Sequence, residues 1–215
     1  MSGQTRRTRP ATLSGGQAAV EALQAEGVRH VFGLIGSAAM EVFDGLYDAD
    51  DVAYVGVRDE RTGTHMADGY ARASGRAGVV LAGQNGPGAT NLVTGVAQAA
   101  AAFSPVVSIA GALSTAHVHR DAFQEVDQDA LFRPLTKRTW TVPSTDRIPE
   151  MVREAFRVAL APRRGPVHLN LPRDVLAGTA EFPPPWDPAT SRAHEAPAGA
   201  DEPVCRAAGL LADAD

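Results

Sequence analysis

The chain of 215 residues has a single cysteine, Cys205. That excludes an internal disulfide and a cysteine-built metal site, and it points to a reducing compartment. Also missing is any apolar run near the roughly 18 residues that a membrane-spanning helix needs. Positive charge is not in excess. The net charge is −5, which argues against a nucleic-acid partner, since that would call for a basic patch. Arg6, Arg7 and Arg9 lie near the N-terminus, but "PATLSGGQ" is not the apolar stretch that a twin-arginine signal requires. There is no internal repeat, no Gly-x-Ser-x-Gly nucleophile elbow and no glycine-rich loop ending in Lys-Ser/Thr. These absences predict a cytoplasmic globular protein with no nucleic-acid or membrane partner.

What the sequence does contain is alternation. "SGGQAAVEALQAEG" predicts a helix, with Ser14 and Gln17 at capping-box spacing and Gly27 as its stop. "HVFGLI" predicts a strand ending at Gly36, and "AAMEVFDGLYD" a helix. "VAYVGV" is the next strand, followed by a helix opening at Glu60. "AGVVLAG" and "PVVSIAG" are strands on either side of the helix "ATNLVTGVAQAAAA". A long loop, "ALSTAHVHRDAFQEVD", leads to a short helix at Gln128–Phe132, the strand "RTWTV", the helix "DRIPEMVREAFRVALA" and the strand "PVHLNL", closed by Pro172. The strands are unbroken apolar runs rather than alternating ones. The expected fold is therefore α/β, a parallel sheet of about six strands with helices on both faces. Residues 1–11 are expected to be a disordered arm, and 12–178 a single domain. Residues 179–200, rich in Pro and Ala, read as an extended linker. Residues 201–215 read as the first helix of a truncated second domain.

Several stretches could carry chemistry. "GQNGPGATN" is a glycine-rich turn between a strand and a helix, a placement that suits anions. Its glycines, 83, 86 and 88, do not fit the dinucleotide spacing. The plain alternative is a tight turn with Pro87 in the first turn of the helix. His65, His117, His119 and His168 are scattered, and "HVH" lacks a third ligand at recognisable spacing, so no metal site is expected in this chain. Glu60 stands at the start of a helix, where an acid is favourable beside the helix dipole. The same placement at a strand end could aim one carboxyl group into a pocket.

Five segments decide between those readings. In order, "HVFGLIGSAAMEVFDGL", "RDERTGTHMADGYARASGRAGVV", "GQNGPGATNLVTGVAQA", "DAFQEVDQDALFRPLTKRTWTV" and "RGPVHLNLPRDV" resemble the N-terminal, pyrimidine-binding domain of thiamine-diphosphate-dependent enzymes of the acetolactate synthase type. "GSAAM" and "AGQNGPG" lean toward the sulfoacetaldehyde acetyltransferase branch, and "GATNLVTG" and "FRPLTKR" toward acetolactate synthase. The resemblance implies thiamine diphosphate as cofactor. In that family a carboxylic acid held against N1′ of the cofactor's pyrimidine promotes the tautomer that takes the C2 proton of the thiazolium.

Position by position, the resemblance makes Glu60 that acid. Ile35, Gly36 and Ser37 would line the loop beside the cofactor. Gln84, Pro87 and Asn91 would lie near the pyrimidine or the domain interface. Phe123 and Gln124 would face the substrate, with Gln124 joining Glu60 as a catalytic residue. Asp59 stands where the family often has His, Ile35 where Pro is common, and Asn85 where Ser is common. These departures bear on the substrate more than on the cofactor. The family holds the diphosphate and Mg²⁺ through a Gly-Asp-Gly segment and a later Asn-Asn pair on another domain, and neither occurs in this sequence. The implied partners are thus a diphosphate-binding domain or subunit, a second copy of the chain, and a small 2-oxo acid or sulfoacetaldehyde-type substrate. The implied activity is a carboligase or acyltransferase. An oxo-acid decarboxylase of the same cofactor class and a catalytically silent interaction domain are the alternatives.

Overall fold

A computed structural model describes residues 7–190 and 200–214. The elements in chain order are β1 (Ala11–Ser14), α1 (Gly15–Ala25), β2 (His30–Leu34), α2 (Met40–Tyr47), β3 (Ala53–Gly56), α3 (Glu60–Ser74), β4 (Gly78–Ala82) and α4 (Thr90–Ala101). They continue with β5 (Val106–Ala112), α5 (Gln128–Phe132), β6 (Thr139–Thr141), α6 (Ile148–Leu160), β7 (Val167–Pro172), α7 (Arg173–Ala177), β8 (Thr179–Phe182) and α8 (Asp201–Ala212). Six strands form one sheet in the order β3-β2-β4-β5-β7-β6, and every neighbouring pair is parallel. The α/β fold expected from the alternation is the fold observed.

The unbroken apolar strands have a direct explanation, because both faces of the sheet are covered. Val79, Leu81, Val107, Ile109, Leu169 and Leu171 face one layer, built by α1, α2, α6 and α7. Val80, Ala82, Val106 and Ala110 face the other, where α3, α4 and α5 contribute Ala67, Leu92, Val96 and Phe132. Alternate residues along each strand point to opposite faces, so each strand must be apolar at nearly every position.

Helix ends follow local chemistry. Ser14 Oγ accepts from the Gln17 amide at 3.2 Å, and the Gln17 side chain accepts from the Ser14 amide at 3.0 Å, closing the capping box. Helix α3 stops at Gly75, whose φ of +70° suits a residue without a side chain, and its amide donates to Ala71 O. Pro87, expected in the first turn of a helix, lies instead in an irregular turn before α4. Gly86 is non-helical there, with φ −90° and ψ 129°. A residue preceding proline is pushed out of the helical region.

Two features were not expected from the sequence. Strand β8 lies in the stretch read as linker, and it pairs antiparallel with β1, Ala11 opposite Phe182 and Ser14 opposite Thr179. Helix α7 follows directly on Pro172. Residues 1–6 and 191–199, parts of the expected arm and linker, lie outside the described residues. Arg7 is held by both oxygens of Glu21, at 3.0 and 2.8 Å, and donates to the carbonyls of Phe182 and Pro183. The helix expected near residue 201 is α8, exposed along its whole length. No helix among the described residues is long and apolar enough to cross a membrane.

Candidate functional site

Strand order reverses between β2 and β4: from β2 the chain steps outward to β3, and it then returns to the other side of β2. In open α/β sheets, ligands bind in the crevice outside the carboxyl ends of the strands at such a switch point. The sequence-predicted residues all follow carboxyl ends of strands. Ile35, Gly36 and Ser37 follow β2, Glu60 follows β3, Gln84, Pro87 and Asn91 follow β4, and Phe123 and Gln124 lie in the loop after β5.

The floor of the crevice is a close backbone approach. A Cβ on Gly83 would lie 2.0 Å from Gly36 N, and one on Gly36 would lie 2.6 Å from Gly83 C. Only glycine fits at either position. Ala38 N donates to Gly83 O at 2.9 Å and locks the two loops together.

Gln84 is the centre of one group of side chains. Its Oε1 accepts from Ser37 Oγ at 3.2 Å and from Ala38 N at 3.1 Å. Its Nε2 donates to Gln124 Oε1 at 2.5 Å. The backbone of Gln124 has a φ of +64°, in the left-handed region that costs a residue with a side chain. The carbonyl of Gln124 is held from two sides, by Asn85 Nδ2 at 2.6 Å and Gly86 N at 3.1 Å. Farther along the same loop, the Glu125 carboxylate accepts from the amides of His119 at 2.6 Å and Ala122 at 3.0 Å. Those hydrogen bonds, His119 first, lower its pKa.

Glu60 and Asn91 make the second group. Glu60 is 5% exposed, in the first turn of α3. The helix cap is the residue before it: Asp59 accepts from the Arg61 amide at 2.8 Å and pairs with the Arg61 side chain at the surface. The Glu60 side chain turns inward. Asn91 Nδ2 donates to its Oε2 at 3.0 Å, while its Oε1 has no hydrogen-bond partner among the described residues. Gly88 stands between the two groups, since a Cβ there would lie 3.2 Å from Glu60 Oε1 and 3.0 Å from the Gln84 Cβ. Glycine at this position thereby leaves room beside the Glu60 carboxyl group.

Ile35 and Phe123 are apart from both groups, 58% and 86% exposed at the rim of the crevice. Pro87 is exposed on the irregular turn. Sequence reasoning did not single out Gly88, or Asn85 as a partner of Gln124. It also passed over a buried polar row beneath the site, Ser108, His168 and Asn170. "PVHLNL" held the signal for it, two polar residues at i and i+2 on one face of a buried strand. Burial pushes the His168 pKa down to about 3, so the ring is neutral.

A doubly wound α/β domain with convergent polar groups and a buried acid at its switch point belongs to the class of cofactor- and nucleotide-binding domains. Residues 13–131 match the family model described as thiamine pyrophosphate enzyme, N-terminal TPP binding domain, and the chain belongs to that family. It is 45% identical over 170 residues to a probable acetolactate synthase large subunit of Methanocaldococcus jannaschii, covering 79% of this chain and 28% of the relative. Against the acetolactate synthase isozyme 3 large subunit of Escherichia coli K12 it is 40% identical over 179 residues, 83% of this chain and 31% of the relative. Against an acetolactate synthase of Mycobacterium bovis it is 42% identical over 176 residues, 82% and 28% of the two chains. The chain spans less than a third of the length of these relatives.

Proposed function

We propose that this domain holds the pyrimidine end of thiamine diphosphate in a carboligase of the acetolactate synthase type, with Glu60 as the acid that serves the ring. The observation that carries the reading is the state of the Glu60 carboxyl group. It is 5% exposed, tied by one oxygen to Asn91, and its other oxygen borders the space that Gly88 leaves clear. A carboxyl oxygen free of the Asn91 bond, on a largely buried side chain beside Gly88, fits a flat ring that presents a nitrogen.

Thiamine diphosphate, when bound, supplies the electron sink for breaking and making a bond next to a carbonyl. The rest falls to the chain's own residues. Glu60 holds and moves a proton at its free oxygen, and Asn91 fixes the direction of the carboxyl group. Gly36 and Ser37 line the cofactor loop, which Gln84 holds in place, and Ile35 offers it an apolar edge. Pro87 shapes the turn that carries Gly88. Gln124, oriented by Gln84 and Asn85, faces the substrate side together with exposed Phe123.

The names of the relatives support acetolactate synthesis; the reading takes the donor to be a small 2-oxo acid such as pyruvate, with sulfoacetaldehyde-type acyl transfer as the neighbouring chemistry. The reading assigns the diphosphate and Mg²⁺ to a separate domain or subunit. Among the described residues, no group of three or more His, Cys, Asp or Glu is placed to hold a metal ion. It takes residues 12–178 as the pyrimidine-binding domain, 179–200 as a link that starts with β8, and 201–215 as the opening of a further domain. It also assigns the Ala- and Gly-rich helices α3 and α4 to packing against a second copy or partner domain, in the cytoplasm.

Glu60→Gln tests the reading in the enzyme assembled with its diphosphate-binding domain. Gln keeps the size and removes the acidic proton. Folding should be normal and activity should fall by about 10²–10⁴-fold, as for loss of a positioned acid. The loss should be read in exchange of the cofactor's C2 proton in deuterated water. An unchanged exchange rate in an active enzyme overturns the assignment.

A further inference from the structure

The buried polar row under the crevice runs in one direction only. Ser108 and His168 are fully buried and Asn170 is 1% exposed, on the face of the sheet covered by α5. Ser108 pairs with His168 across β5 and β7, and Thr141 with Asn170 across β6 and β7. Ser108 Oγ lies 3.0 Å from His168 Nδ1, and His168 Nε2 lies 2.7 Å from Asn170 Oδ1. Asn170 Nδ2 then donates to Asp129 Oδ1 at 2.8 Å and to Thr141 Oγ1 at 3.1 Å, and Thr141 Oγ1 donates on to Asp129 at 3.2 Å.

Donors and acceptors can be assigned from the far end. A carboxylate only accepts, so the amide nitrogen of Asn170 faces Asp129 and its oxygen faces the histidine. Nε2 of His168 must therefore carry the proton. In a neutral ring Nδ1 is then bare and accepts from the Ser108 hydroxyl. Both amide hydrogens of Asn170 are used, and so are both ring nitrogens of His168. A fully satisfied network in a low-dielectric core is rigid, whereas any one group reversed would leave a buried polar atom unpaired.

The row ends on α5, and α5 is fastened to the sheet at three points. Asp129 takes the Asn170 amide. Phe132 stacks on the His168 ring with centroids 3.6 Å apart and planes 16° from parallel. Gln128 Nε2 donates to Gly111 O at 3.1 Å, at the carboxyl end of β5. A five-residue helix has little stability of its own, so these contacts set where it sits. Gln124 is only four residues before Gln128, in a strained left-handed conformation.

We propose that the row Ser108–His168–Asn170–Asp129 is a positioning device: it fixes α5 on the sheet, and through α5 it fixes Gln124 at the crevice. The role given to Gln124 rests on the function proposed above, while the placement of its loop does not. Apolar side chains of similar volume would cover the same sheet at no cost in unpaired groups, but they would not set the direction or register of α5. His168, Asn170 and Asp129 thus act as positioning residues, through α5.

The test uses the assembled enzyme and Asn170→Leu, which removes the central link and keeps the volume. Hydrogen exchange is followed by mass spectrometry on peptides covering residues 118–128, with α6 as the internal control. Asn170→Leu removes three hydrogen bonds, of which one reaches α5; exchange over 118–128 should speed up by about tenfold, the equivalent of that one bond to Asp129, with α6 unchanged. Asp129→Asn, which still presents an oxygen to Asn170, should stay close to the parent. If Asn170→Leu fails to fold, Ser108→Ala carries the same measurement, with a smaller acceleration expected. Unchanged exchange over 118–128 in a folded variant overturns the proposal. The link to Gln124 is read kinetically. Asn170→Leu should raise KM for the substrate severalfold, and that rise should vanish in a Gln124→Ala background, whereas a purely structural loss would raise KM alike in both backgrounds. If the KM effects of the two changes simply add, the positioning of Gln124 is refuted. If Glu60→Gln is silent while exchange over 118–128 still responds, the functional reading fails and the role of the row in placing the loop survives.

Discussion

The same strands present two unlike faces. Toward α1, α2 and α6, β5 and β7 offer Val107, Ile109, Val167, Leu169 and Leu171, an aliphatic surface that any well-packed helix could cover. Toward α3, α4 and α5 they offer Ser108, His168 and Asn170 as well, and the covering helices bring buried Glu60, Thr64 and Asp68. Asp68 is bound by Arg72 on its own helix at 2.9 Å and by Gln98 of α4 at 2.8 Å. Hydrophobic contact is non-directional and indifferent to a rotation of a few degrees, whereas hydrogen bonds are not. The first face supplies stability. The second gives up some of it to fix where particular atoms lie.

Substitutions on the two faces should therefore fail in different ways. The largest effect belongs to the second face, where Glu60→Gln should remove most activity and leave the melting temperature near that of the parent. A large fall in melting temperature would blur the contrast. On the first face Leu169, fully buried, gives the mirror image. Leu169→Ala should cost about 2–5 kcal/mol of stability, seen in denaturant titration, with activity per folded molecule retained.

The next effect separates the faces by pH. His168 is neutral in the folded protein, its pKa lowered by burial from 6.5 to about 3. The unfolded chain binds that proton more readily, so the contribution of His168 to stability is full above pH 6.5 and is lost as pH falls toward 3. The loss is on the order of a few kcal/mol, and it begins above the range in which carboxylates such as Asp68 and Asp174 titrate. Melting curves of the parent should already decline between about pH 6.5 and 5, and His168→Gln should flatten that decline.

Smaller effects come from helix ends. Ser14→Ala removes the bond that Ser14 Oγ accepts from the Gln17 amide at the start of α1, and should cost about 1 kcal/mol with no change in activity. Asp59→Asn should do least of all, because Asn caps as well as Asp and the residue lies outside the buried pair of Glu60 and Asn91. Loss of activity with Asp59→Asn, and none with Glu60→Gln, would move the essential acid one residue back.

The first face was easy to read in the sequence, since unbroken apolar strands and regularly spaced helices are enough to call for a covered parallel sheet. Glu60 could be picked out because it opens a helix straight after a strand. Its inward turn could not be read, because Asp59, a good cap in the preceding position, serves the helix end equally well in the linear pattern. Gln84 read as a neighbour of the cofactor. That it ties Ser37 to Gln124 depends on three loops meeting in space, and sequence separation hides this. His168 looked like one of several scattered histidines until the register placed it against Ser108 and under Phe132. Strand β8 was hidden by the prolines that follow it and by a partner, β1, at the other end of the domain.

The ribbon of β1 and β8 has a consequence for how this unit can be rearranged. Ala11 and Phe182 face each other across a pair of strands, so the points of entry and exit are about 5 Å apart. A bridge of a few residues would close the fold into a ring. New ends could then be opened at Gly75–Arg76, an exposed turn between α3 and β4 on the side away from the crevice. A circular permutant cut there should keep every contact of the polar row and of the crevice.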